Sequence, residues 1–140
     1  MSPMTRMARC SCGKLQVEAR DEPKFVVACH CMECQRRTGS VFGVSAYFAK
    51  GQISIHGVSS LYVREGQDGR KLRLHFCPEC GSSVYWEAEI RPEYFGVAVG
   101  AFADPEFPVP VRSVWEQSRH PWLSFGHEPD RFIDQSTRRS

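Results

Sequence analysis

The sequence predicts a small single domain, mainly β, built from several twisted antiparallel sheets. Three observations point there. Short apolar segments of strand composition recur along the chain, and a glycine or proline turn falls between them at intervals of roughly ten residues. Seven cysteines also crowd into three short clusters spread over the chain, so that distant turns carry side chains able to share one partner.

The strand segments are Leu15 to Val17, Phe25 to Val27, Val41 to Phe48, Ile53 to Ile55 and Leu61 to Val63, followed by Leu72 to Phe76, Val84 to Trp86, Phe95 to Phe102 and Val111 to Trp115. Most alternate apolar and polar residues with a period of two, as half-buried strands do. Helix is scarce. Met32 to Thr38 follows a cysteine cluster, and Pro121 to Phe125 opens on a proline suited to a first helical position. Gln135 to Ser140 reads as a polar tail, which leaves residues 1–134 as the domain.

At 140 residues and 41% hydrophobic, the chain suffices for one packed core. A net charge of +2 lacks the basic footprint that neutralises phosphates, so no nucleic-acid partner is expected. Met1 to Arg9 has two arginines and no apolar stretch, unlike a secretory signal, and the longest apolar run, Phe95 to Ala103, is about half a membrane span. The expectation is a cytoplasmic protein with no membrane partner and with reduced thiols. There, clustered cysteines serve as metal ligands or catalysts rather than disulfides, and an odd number of them leaves one thiol over in any all-disulfide scheme.

The clusters read Cys10-Ser-Cys12-Gly, Cys29-His-Cys31-Met-Glu-Cys34 and Cys77-Pro-Glu-Cys80-Gly. Zinc takes four ligands in a tetrahedron, with sulfur at roughly 2.3 Å, so its ligands come from tight turns. In the last cluster the proline sets the turn and the glycine permits the left-handed torsion after the second ligand, as in a zinc knuckle. The single residue between Cys10 and Cys12 lets both sulfurs face one side of an extended chain. Together these four make a closed structural site, and Cys29, Cys31 and Cys34 remain as three corners of a second tetrahedron. An open corner is the mark of catalytic zinc, and a thiol entering it binds as thiolate, a nucleophile at neutral pH. A second pairing joins Cys31, Cys34, Cys77 and Cys80 into one zinc ribbon, with Cys10, Cys12 and Cys29 as small buried apolar side chains; it leaves C-x-C-G and the first cysteine of C-H-C unexplained. His30, between two ligands, is expected to point away from them and serve the structure.

On C-S-C-G, C-H-C-M-E-C-Q-R-R-T-G-S, F-C-P-E-C-G-S with Val84-Tyr-Trp86, and the late Trp115 and Trp122, the sequence resembles the glutathione-dependent formaldehyde-activating enzyme family, which includes centromere protein V. The resemblance implies a fold similar to methionine sulfoxide reductase B and the Rab exchange chaperone. It implies two zinc ions as cofactors, structural on Cys10, Cys12, Cys77 and Cys80 and catalytic on Cys29, Cys31 and Cys34. It also implies a carbon-sulfur lyase activity, the S-(hydroxymethyl)glutathione synthase reaction, with glutathione and a small aldehyde as partners.

Around the trio, Arg36 and Arg37 read either as cations that offset the thiolates or bind a substrate carboxylate, or as a solvated basic turn. Phe42, Tyr47, Trp86, Trp115, Trp122 and Phe125 read as pocket or as core. Thr38 to Ser40 reads as a loop shaping the open corner or as a helix end with Gly39 left-handed. The competing function is a non-catalytic zinc module whose β surface binds a protein partner. Methionine sulfoxide reductase chemistry needs a reactive cysteine outside the clusters, and all seven lie within them.

Overall fold

The structure is a computed structural model, and it describes residues 4–66 and 68–135. Most of the tail expected at 135–140 lies outside the described residues. In chain order the strands β1 (Thr5–Arg9), β2 (Gln16–Arg20) and β3 (Phe25–Cys29) lead to the helix α1 (Met32–Thr38). Then come β4 (Gly43–Ala49), β5 (Ile53–His56), β6 (Ser60–Glu65), β7 (Lys71–Phe76), β8 (Ser83–Ala88) and β9 (Tyr94–Ala98). The chain ends with β10 (Arg112–Val114) and β11 (Asp130–Arg131). The fold is mainly β, with α1 as the α-helix among the described residues.

The chain divides into two compact units, residues 1–24 with 46–107 and residues 25–45 with 108–140. In the first, β1, β2 and β5 form an antiparallel sheet in that order. Burial alternates along β2, so Val17 and Ala19 face inward while Gln16, Glu18 and Arg20 are half-exposed. Strands β9, β8, β7 and β6 lie side by side in the same unit, with the three pairs antiparallel. Val84, Tyr85 and Trp86 are buried on both faces of β8, and Phe102 stacks on Phe107 at 4.7 Å between ring centroids. At the edge, β6 leaves Leu61, Tyr62 and Val63 exposed.

Gly96 on β9 makes room for the buried indole of Trp86. A Cβ at this position would lie 2.1 Å from Trp86 Nε1, well inside van der Waals contact. Gly96→Ala is therefore expected to destabilise the fold by about 1–3 kcal/mol, the usual cost of overpacking. A lowered urea midpoint at unchanged m-value reports it; a midpoint equal to wild type contradicts the packing described.

In the second unit, β10 lies between β11 and β3 and runs parallel to both. The sheet that contains β10 is therefore mixed rather than wholly antiparallel. No tight turn joins β3 to β10, which are separated by most of the chain, so nothing local imposes an antiparallel partner. Val26, Val27, Ala28 and Val114 form the buried apolar strip of this unit.

Two local expectations fail, and one strand, β1, goes unmarked in the sequence. Pro121 to Phe125 is a turn, not a helix: five residues offer too few hydrogen bonds to repay nucleation, the Leu123 N–H bonds back to the His120 carbonyl at 3.1 Å, and the Arg119 guanidinium donates to the Leu123 carbonyl. The apolar run Phe95 to Phe102 stops being strand at Ala98 and turns through a 3₁₀ segment, Val99–Phe102, that buries Phe102. Strand β1, polar in sequence, is carried by its ladder to β2, from Thr5↔Arg20 to Arg9↔Gln16.

Candidate metal centres

The first sulfur cluster joins the end of β1 to the β7–β8 hairpin inside the first unit. Cys10 is buried directly after β1, and its N–H and sulfur face the Leu15 carbonyl and N–H at 3.0 and 3.2 Å. This folds the segment back, so Cys10 to Gly13 is a tight turn closed by Gly13 N–H to the Cys10 carbonyl, with Gly13 at φ +81°, rather than the extended chain expected. A register shift between His75 and Phe76 re-aims the end of β7 just before Cys77. The knuckle then forms as anticipated: Gly81 N–H bonds to the Cys77 carbonyl at 2.8 Å, with Gly81 at φ +79°.

All four sulfurs lie within 4.8 Å of one another, and Cys12 is 3.6 Å from both Cys10 and Cys77. A disulfide needs about 2.05 Å. A tetrahedron with 2.3 Å bonds has edges of about 3.8 Å, so the donor set suits a thiophilic cation such as zinc. The thiols themselves are split. The Ser82 hydroxyl, helped by backbone N–H groups, lowers Cys80 to about 5. Cys12, although its hydrogen bond from the Lys14 backbone works the other way, is raised to about 11 by burial and by its three sulfur neighbours. Thiolates this close hold one another's protons unless a cation replaces them.

The second cluster lies wholly in the other unit. Cys29 ends β3, where β10 fixes it through the register Val114↔Cys29. Cys31 is the N-cap of α1, and its sulfur accepts the Cys34 N–H at 3.2 Å. Cys34 stands in the first turn, and the three sulfurs lie within 4.8 Å of one another, each half-buried. Hydrogen bonding to Cys31 and Cys34, then burial and their charges, push the Cys29 thiol far above its ordinary value. Cys34, although its bond with Cys29 lowers it, is raised to about 11 by Cys31 and burial. The sulfurs thus gather as four and three, and the ribbon of Cys31 and Cys34 with Cys77 and Cys80 does not form.

The model of the family described as glutathione-dependent formaldehyde-activating enzyme matches residues 5–118, a stretch that takes in all seven cysteines. The chain belongs to this family. A Rhodobacter sphaeroides protein, solved by crystallography as a structural genomics target, is similar in fold at 22% identity and a TM-score of 0.53, over 68% of this chain and 85% of that one. No curated protein matches the chain. Among the described residues no helix is long and apolar enough to cross a membrane.

In this member of the glutathione-dependent formaldehyde-activating enzyme family the surroundings of the trio resolve the alternatives open in sequence. Gly39 caps α1 at φ +71°, bonding to the Gln35 carbonyl at 2.8 Å, and the Thr38 hydroxyl donates to the Cys34 carbonyl at 2.8 Å. Thr38 to Ser40 is a helix end. Arg36 pairs with Glu33 at 3.0 Å with both side chains largely in solvent. Arg37 faces inward instead: its charge lowers Cys34, and its guanidinium occupies the space that a side chain at Gly43 would need. Of the six aromatic candidates, Phe42 and Phe125 flank His30 at centroid distances of 5.7 and 6.1 Å. Trp86 is core of the first unit, Tyr47 sits edge-on to Tyr94, and Trp122 is 70% exposed beside His120.

His30 lies outside the sulfur group and is fully buried. Its Nε2 is 2.9 Å from the Ser113 Oγ, and burial, against the pull of Glu116, keeps its pKa below the ordinary value. Ser113 in turn donates to Glu116, whose side chain is 1% exposed and which also receives Arg119 and Arg131 at 3.1 Å. Burial would raise the Glu116 carboxyl, but the hydrogen bonds of Ser113 and Arg131 and the charges of both arginines hold it below the usual range. Sequence reading missed this group. Its one signal, S-x-x-E from Ser113 to Glu116, resembles a helix capping box, yet no side-chain cap bond forms there.

Proposed function

We propose that the chain is a zinc-dependent carbon-sulfur lyase of the S-(hydroxymethyl)glutathione synthase type, acting on the thiol adduct of a small aldehyde. The observation that carries it is the separation of the sulfurs into a closed group of four and a group of three. In this reading Cys10, Cys12, Cys77 and Cys80 hold a structural zinc, and Cys29, Cys31 and Cys34 hold the catalytic one. A zinc ion held by these three cysteines would supply Lewis acidity toward a thiol such as glutathione.

The chain's own residues do the rest. Cys29 and Cys34 give up protons that their neighbours otherwise hold in place, so occupancy of the trio falls as pH falls. Arg37 offsets negative charge at Cys34. Phe42 and Phe125 flank the buried His30 imidazole with apolar rings. In the net reaction a carbon-sulfur bond forms, and the thiol proton ends on the former carbonyl oxygen. Residues 1–134 serve this as one zinc-binding domain, in the cytoplasm, with small-molecule substrates and neither nucleic acid nor membrane as partner.

The test is metal content of protein purified without chelator, followed by cobalt substitution and titration with glutathione. Two metal equivalents per chain, and a change in thiolate-to-cobalt absorption on adding glutathione, are expected. One equivalent with an unresponsive spectrum favours the alternative, a non-catalytic module, for which the exposed Leu61-Tyr62-Val63 edge of β6 is the supporting observation.

A further inference from the structure

The peptide that separates Cys29 from Cys31 is pinned from several directions. The His30 N–H donates to the Val114 carbonyl at 3.1 Å, and the His30 carbonyl accepts the Gln35 side-chain amide at 3.0 Å. Its imidazole meets Ser113 at 2.9 Å, and the Ser113 hydroxyl donates to Glu116. A hydroxyl has one proton, and a carboxylate held between Arg119 and Arg131 can only accept it. Ser113 Oγ must then accept from His30, which places the imidazole proton on Nε2 and sets ring orientation and tautomer together. The preceding backbone is bent to permit this: Trp115 is left-handed at φ +58°, unusual for a residue with a Cβ, and turns the chain so that Glu116 reaches back to Ser113.

We infer that Ser113 and Glu116 are positioning residues of the three-sulfur centre, acting through His30 to hold Cys29 and Cys31 at the spacing a metal ion requires. This rests on the reading of the trio as a metal site. Such outer partners are known to matter: changing groups that orient metal ligands lowers metal affinity about 10- to 100-fold. The arginines serve the same end, because without them a buried carboxylate would not stay ionised beside an apolar strip.

Two nearly isosteric variants, Glu116→Gln and Ser113→Ala, and their double variant test the inference in the full chain. Cobalt affinity at each site is read from thiolate-to-cobalt absorption under chelator competition, the trio's step being the one that disappears in Cys31→Ser. Each single variant is expected to weaken the trio about 10- to 100-fold and leave the four-sulfur site within about threefold of wild type. The double variant is expected to be no weaker than the worse single, because both interrupt one chain of contacts. Trio affinity unchanged in both singles, equal losses at both sites, or losses that multiply in the double variant would overturn the inference. A wild-type chain that takes up one equivalent overturns the metal reading of the trio itself, and the positioning role with it.

Discussion

Replacing Cys77 by serine is expected to unfold the first unit. Cys77 is fully buried at the end of β7, and its sulfur belongs to the group that joins the Cys10 turn to the β7–β8 hairpin. A structural zinc in such a site contributes on the order of 10 kcal/mol or more at neutral pH. Whole domains are stable by only about 5–15 kcal/mol, so loss of the closed site removes most of the margin. The local β-ladders cannot replace it, since β1 is short and largely polar and pairs with β2 alone. Circular dichroism and urea titration should show the cooperative transition lost or moved to very low denaturant, and chelator treatment of the wild type should do the same. A Cys77→Ser chain that melts within about 1 kcal/mol of wild type would mean that this cluster is not a structural metal site.

Cys31→Ser is expected to have the opposite profile, with the fold kept and the chemistry lost. Serine is a good N-cap, so its hydroxyl can accept the Cys34 N–H as the Cys31 sulfur does, and α1 stays capped. What the substitution removes is one of three thiolates of the proposed catalytic centre. Because changes to mere outer partners cost up to about 100-fold, loss of a ligand should lower turnover of glutathione and formaldehyde by more than about 100-fold. Metal content should fall from two equivalents to one, with the thermal transition close to wild type. Full activity in Cys31→Ser would remove the trio from catalysis. Intact metal binding with collapse of the fold would make the trio structural, in line with the non-catalytic alternative.

The two expectations differ because the clusters join different things. Cys10 and Cys12 stand more than sixty residues from Cys77 and Cys80, so an ion there closes a long loop. Cys29, Cys31 and Cys34 lie within six residues, and an ion there orders little that β3 and the cap of α1 have not already ordered.

Much of this protein was written in short-range patterns. The strands from β2 to β10 follow from alternation and turn residues, and α1 runs from Met32 to Thr38 as expected because Cys31 caps one end and Gly39 the other, both within hydrogen-bonding reach of the helix itself. Spacing likewise predicts which sulfurs gather within each cluster, since tight turns bring neighbours together; that Cys77 and Cys80 join Cys10 and Cys12 rather than Cys31 and Cys34 is settled only by the tertiary structure. Tertiary structure decided what depends on residues far apart. The parallel pairing of β10 with β3 sets Val114 against Cys29, and Ser113 meets His30 across eighty-three positions of sequence. No local pattern marks Glu116 as the buried end of that chain, because a polar residue in a turn is ordinarily solvated. Pro121 to Phe125 misleads at short range as well, where local propensity suggests helix and the Arg119 side chain takes the Leu123 carbonyl instead. Backbone torsions and caps act over a few residues and are legible in them, whereas burial and charge pairing are properties of the assembled neighbourhood, which exists only once distant strands have met.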